Sequence, residues 1–316
     1  MQKKVVVLGG GNGSAIALVA LKQNLKKFNI SAIVSMSDSG GSTGRLRKEL
    51  NILPPGDIMR AVLALSIYDY PLLKKIFYRN RFSQDGKMNN HNLGNLFLAL
   101  SSRYCGSFVK SVRALEESVE AVGKVYPVTL KINDLVAKLV NGKIVKTEAK
   151  IDQPDYDLGL RIKNVYLEPK VKADPEAIKE ILSADCIVLS PGSLYTSVVA
   201  TLLPTGIKEA IAKSKAKIIF VAGNAYHIYG ETGPTKLSEI VAELEQYLPR
   251  RADYILYNNH KLSKKEQTYY KEKTWGVIVG DLEKLDGRNV ISFDFSSSVG
   301  GLCSIKLGEK LKELIK

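Results

Sequence analysis

Cysteine is scarce in this chain: three residues in 316, Cys105, Cys186 and Cys303. They are far apart and show no paired spacing, which excludes a disulfide framework or a zinc site and predicts buried small hydrophobes. No continuous apolar run reaches the roughly 18 residues of a membrane span, and no charged leader followed by a long apolar stretch opens the chain. A cytoplasmic location is therefore expected. Fixed-period repeats and low-complexity tracts are also missing. The glycine-lysine pairs Gly86-Lys87, Gly123-Lys124 and Gly142-Lys143 lack the Ser or Thr that must follow in a phosphate-binding P-loop. Net charge is +14, but the lysines are scattered, as in Lys22, Lys26-Lys27, Lys74-Lys75 and Lys264-Lys265. Solvated surface explains them, and nucleic acid is not an expected partner.

With 45% hydrophobic residues, the chain can bury one large α/β core. Short apolar runs recur at Val5-Leu8, Ile33-Met36, Cys186-Leu189, Ile218-Val221, Tyr254-Leu256 and Val277-Val279, with helical patterns between most of them. This rhythm predicts a Rossmann-like, doubly wound α/β fold with a mostly parallel sheet. It breaks between Lys124 and Pro169. There Val125-Leu130, Leu135-Val140 and Lys143-Ile151, with Asn141-Gly142 between the last two, predict an antiparallel β insertion of about 124–170 in a single domain. Asp174-Pro175-Glu176 marks a helix start, and Ile305-Lys316 reads as a short amphipathic helix capping the fold.

The polar residues gather at the ends of these elements. Gly9-Gly10-Gly11-Asn12-Gly13-Ser14 follows the first strand and opens a helix, so its backbone N–H groups can approach a phosphate. A plain strand-to-helix turn looks the same. Asp38, after the second strand, suits either a ribose hydroxyl or a divalent cation. Pro54-Pro55-Gly56-Asp57, Asn89-Asn90-His91-Asn92-Leu93-Gly94-Asn95 and Ser190-Pro191-Gly192-Ser193-Leu194-Tyr195-Thr196-Ser197 each stand beside a helical or strand run. In an open α/β sheet such loops converge on one crevice. Taken singly, Asp57, Asn92 and Ser193 are also ordinary helix caps. His91 is the best placed of the three histidines. Gly40-Gly41-Ser42-Thr43-Gly44 matches a hydrolase elbow in spelling only, because no strand enters the serine directly.

Together these motifs resemble the 2-phospho-L-lactate transferase (CofD-like) and gluconeogenesis-factor family. The matching pieces are Val7-Gly13, Asp38-Arg47, Pro55-Arg60, His91-Leu96 and Ser190-Ser197. The resemblance implies binding of a nucleotide or nucleotide-diphosphate conjugate. In the transferase branch a phospholactyl group passes from a guanylyl donor to a deazaflavin alcohol with Mg2+. The bacterial branch is linked to cell shape and growth on gluconeogenic carbon, and binds a UDP-sugar. By position, Asp38 and Asp57 would be the catalytic acids and would hold the metal or ribose. Gly10, Gly11, Asn12, Gly13, Ser42, His91, Asn92, Asn95, Gly192, Ser193, Tyr195, Thr196 and Asn224 would line the ligand, and a homodimer is expected. Three departures stand out. Ser39 replaces a second acid, Ala222-His227 differs from the bacterial Leu-Met-Thr-Gln-Pro-Gly-Glu-Thr run with only Gly230-Glu231-Thr232 kept, and the C-terminal Arg-His-Asp element is missing between Val290 and Gly301. The bacterial, regulatory reading leads. A Mg2+-dependent transferase and an NAD(P)-binding oxidoreductase are the alternatives.

Overall fold

A computed structural model describes residues 1–83, 86–298 and 300–316. The strands among them are β1 (Lys3–Gly9), β2 (Phe28–Val34), β3 (Lys124–Pro127), β4 (Asp134–Leu139), β5 (Ile144–Lys146), β6 (Ile162–Glu168), β7 (Cys186–Leu189), β8 (Lys217–Val221), β9 (Ala225–His227), β10 (Tyr254–Asn258), β11 (Trp275–Val277) and β12 (Val290–Phe293). Val5-Val6-Val7-Leu8, Ile33-Val34 and Ile187-Val188-Leu189 are almost wholly buried. A strand covered on both faces can only be a continuous apolar run. Seven of the strands form one parallel sheet in the order β12-β10-β8-β7-β1-β2-β3.

That order reverses between β1 and β7, where Val5 stands beside Cys186 and Leu8 beside Leu189. Right-handed crossovers running outward in the two directions put their helices on opposite faces. The helices Gly11–Lys22, Gly56–Leu65 and Ser304–Leu314 share one side, while Pro175–Ser183 packs on Ile207–Lys213. Asp174 caps Pro175–Ser183 through the Glu176 N–H. The C-terminal helix lies so close to Gly11–Lys22 that a Cβ at Gly308 would press on the Ala20 carbonyl. Leu307 and Leu311 are its buried stripe.

The α/β class and the parallel sheet are as expected; several placements are not. Lys124–Pro127 joins the main sheet, its Val125 opposite Ala32, so the antiparallel part begins only after it. That part is the sheet β5-β4-β6. Its β4–β5 turn is Asn141-Gly142, with Gly142 at φ +88° and Lys143 N–H donating to the Asn141 carboxamide at 3.0 Å. The Lys143-Ile151 run divides into β5 and a short helix, Glu148–Asp152. Val277-Val279 is not a strand of the main sheet: β11 pairs antiparallel with β9. The seventh parallel strand is β12. All four of its residues are half-buried, because an edge strand lacks the fully apolar run by which buried strands are read. Among the cysteines only Cys186 is buried, and Cys105 is exposed.

Candidate functional site

The loops after β1 and β7 meet at the reversal of strand order. A Cβ at Gly13 would overlap the Pro191 carbonyl oxygen, so only glycine permits this approach. On the other side of the contact Gly192 has φ +143°, a conformation that also demands glycine. Two cavities open from this junction. A polar cleft of about 570 Å³ runs along the β1–β2 side, and an apolar pocket of about 410 Å³ lies on the β7–β8 side. They share Gly13, Asp152, Gly192 and Ser193 in their walls.

Asp38 enters the polar cleft from the loop after β2. Gly40 N–H donates to its Oδ1 at 2.9 Å. Burial, and next the charge of Asp57, push its carboxyl above the ordinary aspartate range. Asp57 sits inside the first turn of Gly56–Leu65, one residue past its start, and it caps nothing: the helix has no side-chain cap. Its Oδ1 accepts from Arg60 Nη1 at 3.2 Å. Arg60 also donates to the Tyr78 hydroxyl at 2.8 Å and stands 4.4 Å from that ring's centroid.

The insertion supplies the opposite wall. Its helix Glu148–Asp152 is hung on the Asp38 loop by two bonds: Ser39 N–H to Glu148 Oε2 at 3.2 Å, and Ala149 N–H to Ser39 Oγ at 3.0 Å. Ser39 is thus an anchor for an acid of the insertion. Burial, and then the charge of Asp38, raise the Glu148 carboxyl. Asp152, one turn further, is also raised by burial.

The His91 segment closes the inner end. Its Nδ1 is 2.8 Å from Ser42 Oγ, which accepts from Asn95 Nδ2 at 3.0 Å. Asn92 caps Leu93–Cys105, accepting Asn95 N–H at 2.8 Å, so here the cap and the site coincide. Burial, and then Arg45, lower the His91 pKa. His91 Nε2, Asn92 Nδ2 and Asn95 Oδ1 are buried with no hydrogen-bond partner. Such groups cost free energy unless something meets them.

After β7 the chain makes a π-helix, Leu194–Val199, whose preceding residue Ser193 makes no side-chain cap. Glu231 takes that role, its carboxylate accepting Tyr195 and Thr196 N–H groups at about 3 Å. Tyr195 does not reach either cavity. Its ring is buried, bonded to Glu243 and packed on Gly233. Asn224 lines the apolar pocket with Phe220, Tyr226, Trp275, Ile278 and Leu302. Its Nδ2 is engaged by the Tyr270 hydroxyl at 2.7 Å.

Gly10, Gly11, Asn12, Gly13, Asp38, Ser42, Asp57, Asn95, Gly192, Ser193 and Thr196 therefore border one cleft. His91 and Asn92 stand just behind it. Sequence reasoning missed Arg60, Glu148 and Asp152. Their signals were the spacing of three between Asp57 and Arg60, and of four between Glu148 and Asp152, each joining neighbours on a helix face.

The model of the 2-phospho-L-lactate transferase CofD family matches residues 5–296. A gluconeogenesis factor of Bacillus subtilis is 36% identical over 284 residues, 89% of this chain and 87% of that protein. The gluconeogenesis factor of Listeria innocua is 39% identical over 303 residues, covering 95% and 90%. A crystal structure of a UPF0052 family protein from Bacillus halodurans superposes with a TM-score of 0.90 at 34% identity over 99% of each chain. With a family match spanning nearly its whole length, the chain belongs to the 2-phospho-L-lactate transferase CofD family, alongside the gluconeogenesis factors.

Proposed function

We propose that this chain is a gluconeogenesis-factor-type protein that binds a nucleotide-diphosphate conjugate across the two cavities, with a divalent cation between ligand and carboxylates. The glycine junction of Gly13 with Pro191-Gly192 carries this reading. It brings bare backbone to the one place that both cavities share, and a diphosphate there would have its polar and apolar ends on either side.

Charge supports the cation. Asp38, Asp57 and Asp152 line the polar cleft against two described cations, Arg60 and Arg81, while Glu148 beside them is pushed up to about 9 and carries no charge at neutral pH. A diphosphate would enter against this field unless positive charge came with it. The described residues include no group of three His, Cys, Asp or Glu side chains able to cage a metal. Mg2+ commonly takes one or two carboxylates and completes its shell with phosphate and water. Asp38 and Asp57 fit that role, and the unpartnered Asn95 Oδ1 suits a metal-bound water. Bound there, Mg2+ would neutralise phosphate charge.

A second reading is transfer of a phosphorus-containing group, favoured by the apolar pocket beside the junction. It gives a flat acceptor room next to the phosphates. Native mass spectrometry of gently purified protein tests the binding reading, followed by calorimetric titration of UDP-glucose, GDP and NAD+ with Mg2+ and with EDTA. A co-purified nucleotide, or Mg2+-dependent binding of one of these, is expected. Absence of both at millimolar ligand would overturn the proposal.

A further inference from the structure

Large apolar side chains are normally exposed singly. Among the described residues, nine of the 23 that are exposed fall within 67–104, about an eighth of the chain. They lie on contiguous elements. On the helix Leu93–Cys105, Leu93, Leu100 and Tyr104 follow one line, because spacings of seven and eleven return to the same side. Leu72 and Ile76 are one turn apart on the preceding segment, which packs on that helix. An antiparallel bridge between Arg81 and Asn92, with the Phe82 N–H on the His91 carbonyl, joins the Phe82 segment to the start of that helix.

The charge on this face is one-sided. Between 67 and 104 stand Lys74, Lys75, Arg79, Arg81, Lys87 and Arg103 against Asp69 and Asp85; Asp85 lies outside the described residues. Lys75 and Arg79 are exposed beside Ile76, and Arg103 is exposed beside Tyr104. A twofold contact between copies would set this cationic face on itself, like charge on like. Apolar side chains, three of them aromatic, rimmed by Lys and Arg suit a layer of anionic headgroups over hydrocarbon. No described helix is long and apolar enough to cross a membrane, so contact would be peripheral.

We propose that the 67–104 face docks on an anionic lipid surface. Tyr78 and Arg81 of this same segment line the polar cleft, so the bound protein would hold its cleft mouth beside the lipid headgroups. This proposal stands whether or not the cleft takes a nucleotide.

Flotation of the full chain with vesicles of phosphatidylcholine, with and without one third phosphatidylglycerol, tests it. Binding is expected only to the anionic vesicles, weakening as salt rises. Lys75→Glu with Arg79→Glu, and separately Leu100→Ser with Tyr104→Ser, should each lower it at least about tenfold. Lys264→Glu with Lys265→Glu, an equal charge change at exposed sites elsewhere, should lower it less than about twofold. Thermal melts confirm that each variant is folded. No binding, or equal loss in the 264/265 variant, would overturn the proposal, the latter by showing that net charge alone is responsible. So would light scattering in which the wild type is dimeric and the Leu100/Tyr104 variant monomeric, which would give the face to a second copy.

Discussion

The carboxylate of Glu231 accepts the backbone N–H of Thr196 at 3.0 Å, across 35 residues of sequence. An internal carboxyl group thus occupies the helix start after β7, where the sequence alone suggests a ligand phosphate. Under the binding proposed above, ligand contacts on that loop would fall to Gly192, Ser193 and the Thr196 side chain, which border the polar cleft.

Glu231 gives a pH signature. Burial pushes its carboxyl up to about 7 from its usual 4.5, against the pull of the N–H groups it accepts. The native form keeps a proton that the unfolded chain has released. Its contribution to stability is full below about 4.5 and is lost as pH rises to about 7. Glu231→Gln removes that titration. The melting temperature of the variant relative to wild type should rise between pH 5 and pH 8, equivalent to about 2–3 kcal/mol. Parallel curves across this range would show that Glu231 does not titrate there.

Gly13→Ala places a methyl group on the Pro191 carbonyl. The two loops must separate or the sheet must shift, at a cost of about 1–3 kcal/mol. Chemical denaturation would measure this, and an unchanged midpoint would mean that the contact is loose in solution.

Gly192→Val is expected to act mainly on binding. Its φ of +143° is strained for a β-branched residue, and the loop borders both cavities. Affinity for the nucleotide identified by mass spectrometry should fall at least about tenfold, or roughly 1.4 kcal/mol. Wild-type affinity in a folded variant would place the phosphates elsewhere.

Asp57→Asn should reduce the Mg2+ enhancement of nucleotide binding at least about tenfold, roughly 1.4 kcal/mol, and leave EDTA affinity equal or tighter. The substitution removes one carboxylate from the cation and frees Arg60 for the phosphates. Since Asp57 caps no helix end, a large loss of stability is not expected. Calorimetry that finds the same Mg2+ dependence in both proteins would remove Asp57 from the cation's ligands.

What the sequence made legible was the part of the site carried by the parallel sheet. Val5-Leu8 and Cys186-Leu189 declare themselves as buried strands, and the glycine and aspartate loops follow directly from them. Glu148 and Asp152 were hidden because Ile144-Val145-Lys146 starts as a strand, and the helix after it is too short for periodicity to show. Its position depends on Ser39, more than a hundred residues earlier. Tyr195 failed for a different reason. Within a polar loop it looks like a ligand residue, yet the π-helical turn directs its ring into the core. Nothing in local spacing announces that turn.

The short helix on the insertion also decides where the cleft's electrical asymmetry comes from. Loops and helices of the main sheet bring Asp38 and Asp57 together with Arg60 and Arg81, two charges of each sign. The excess is imported with Asp152, since burial and the charge of Asp38 push the Glu148 carboxyl up to about 9 and it keeps its proton at neutral pH. A relative with a different insertion could keep the same glycine junction and present a cleft of different charge, because the sheet supplies the backbone and the graft sets the polarity.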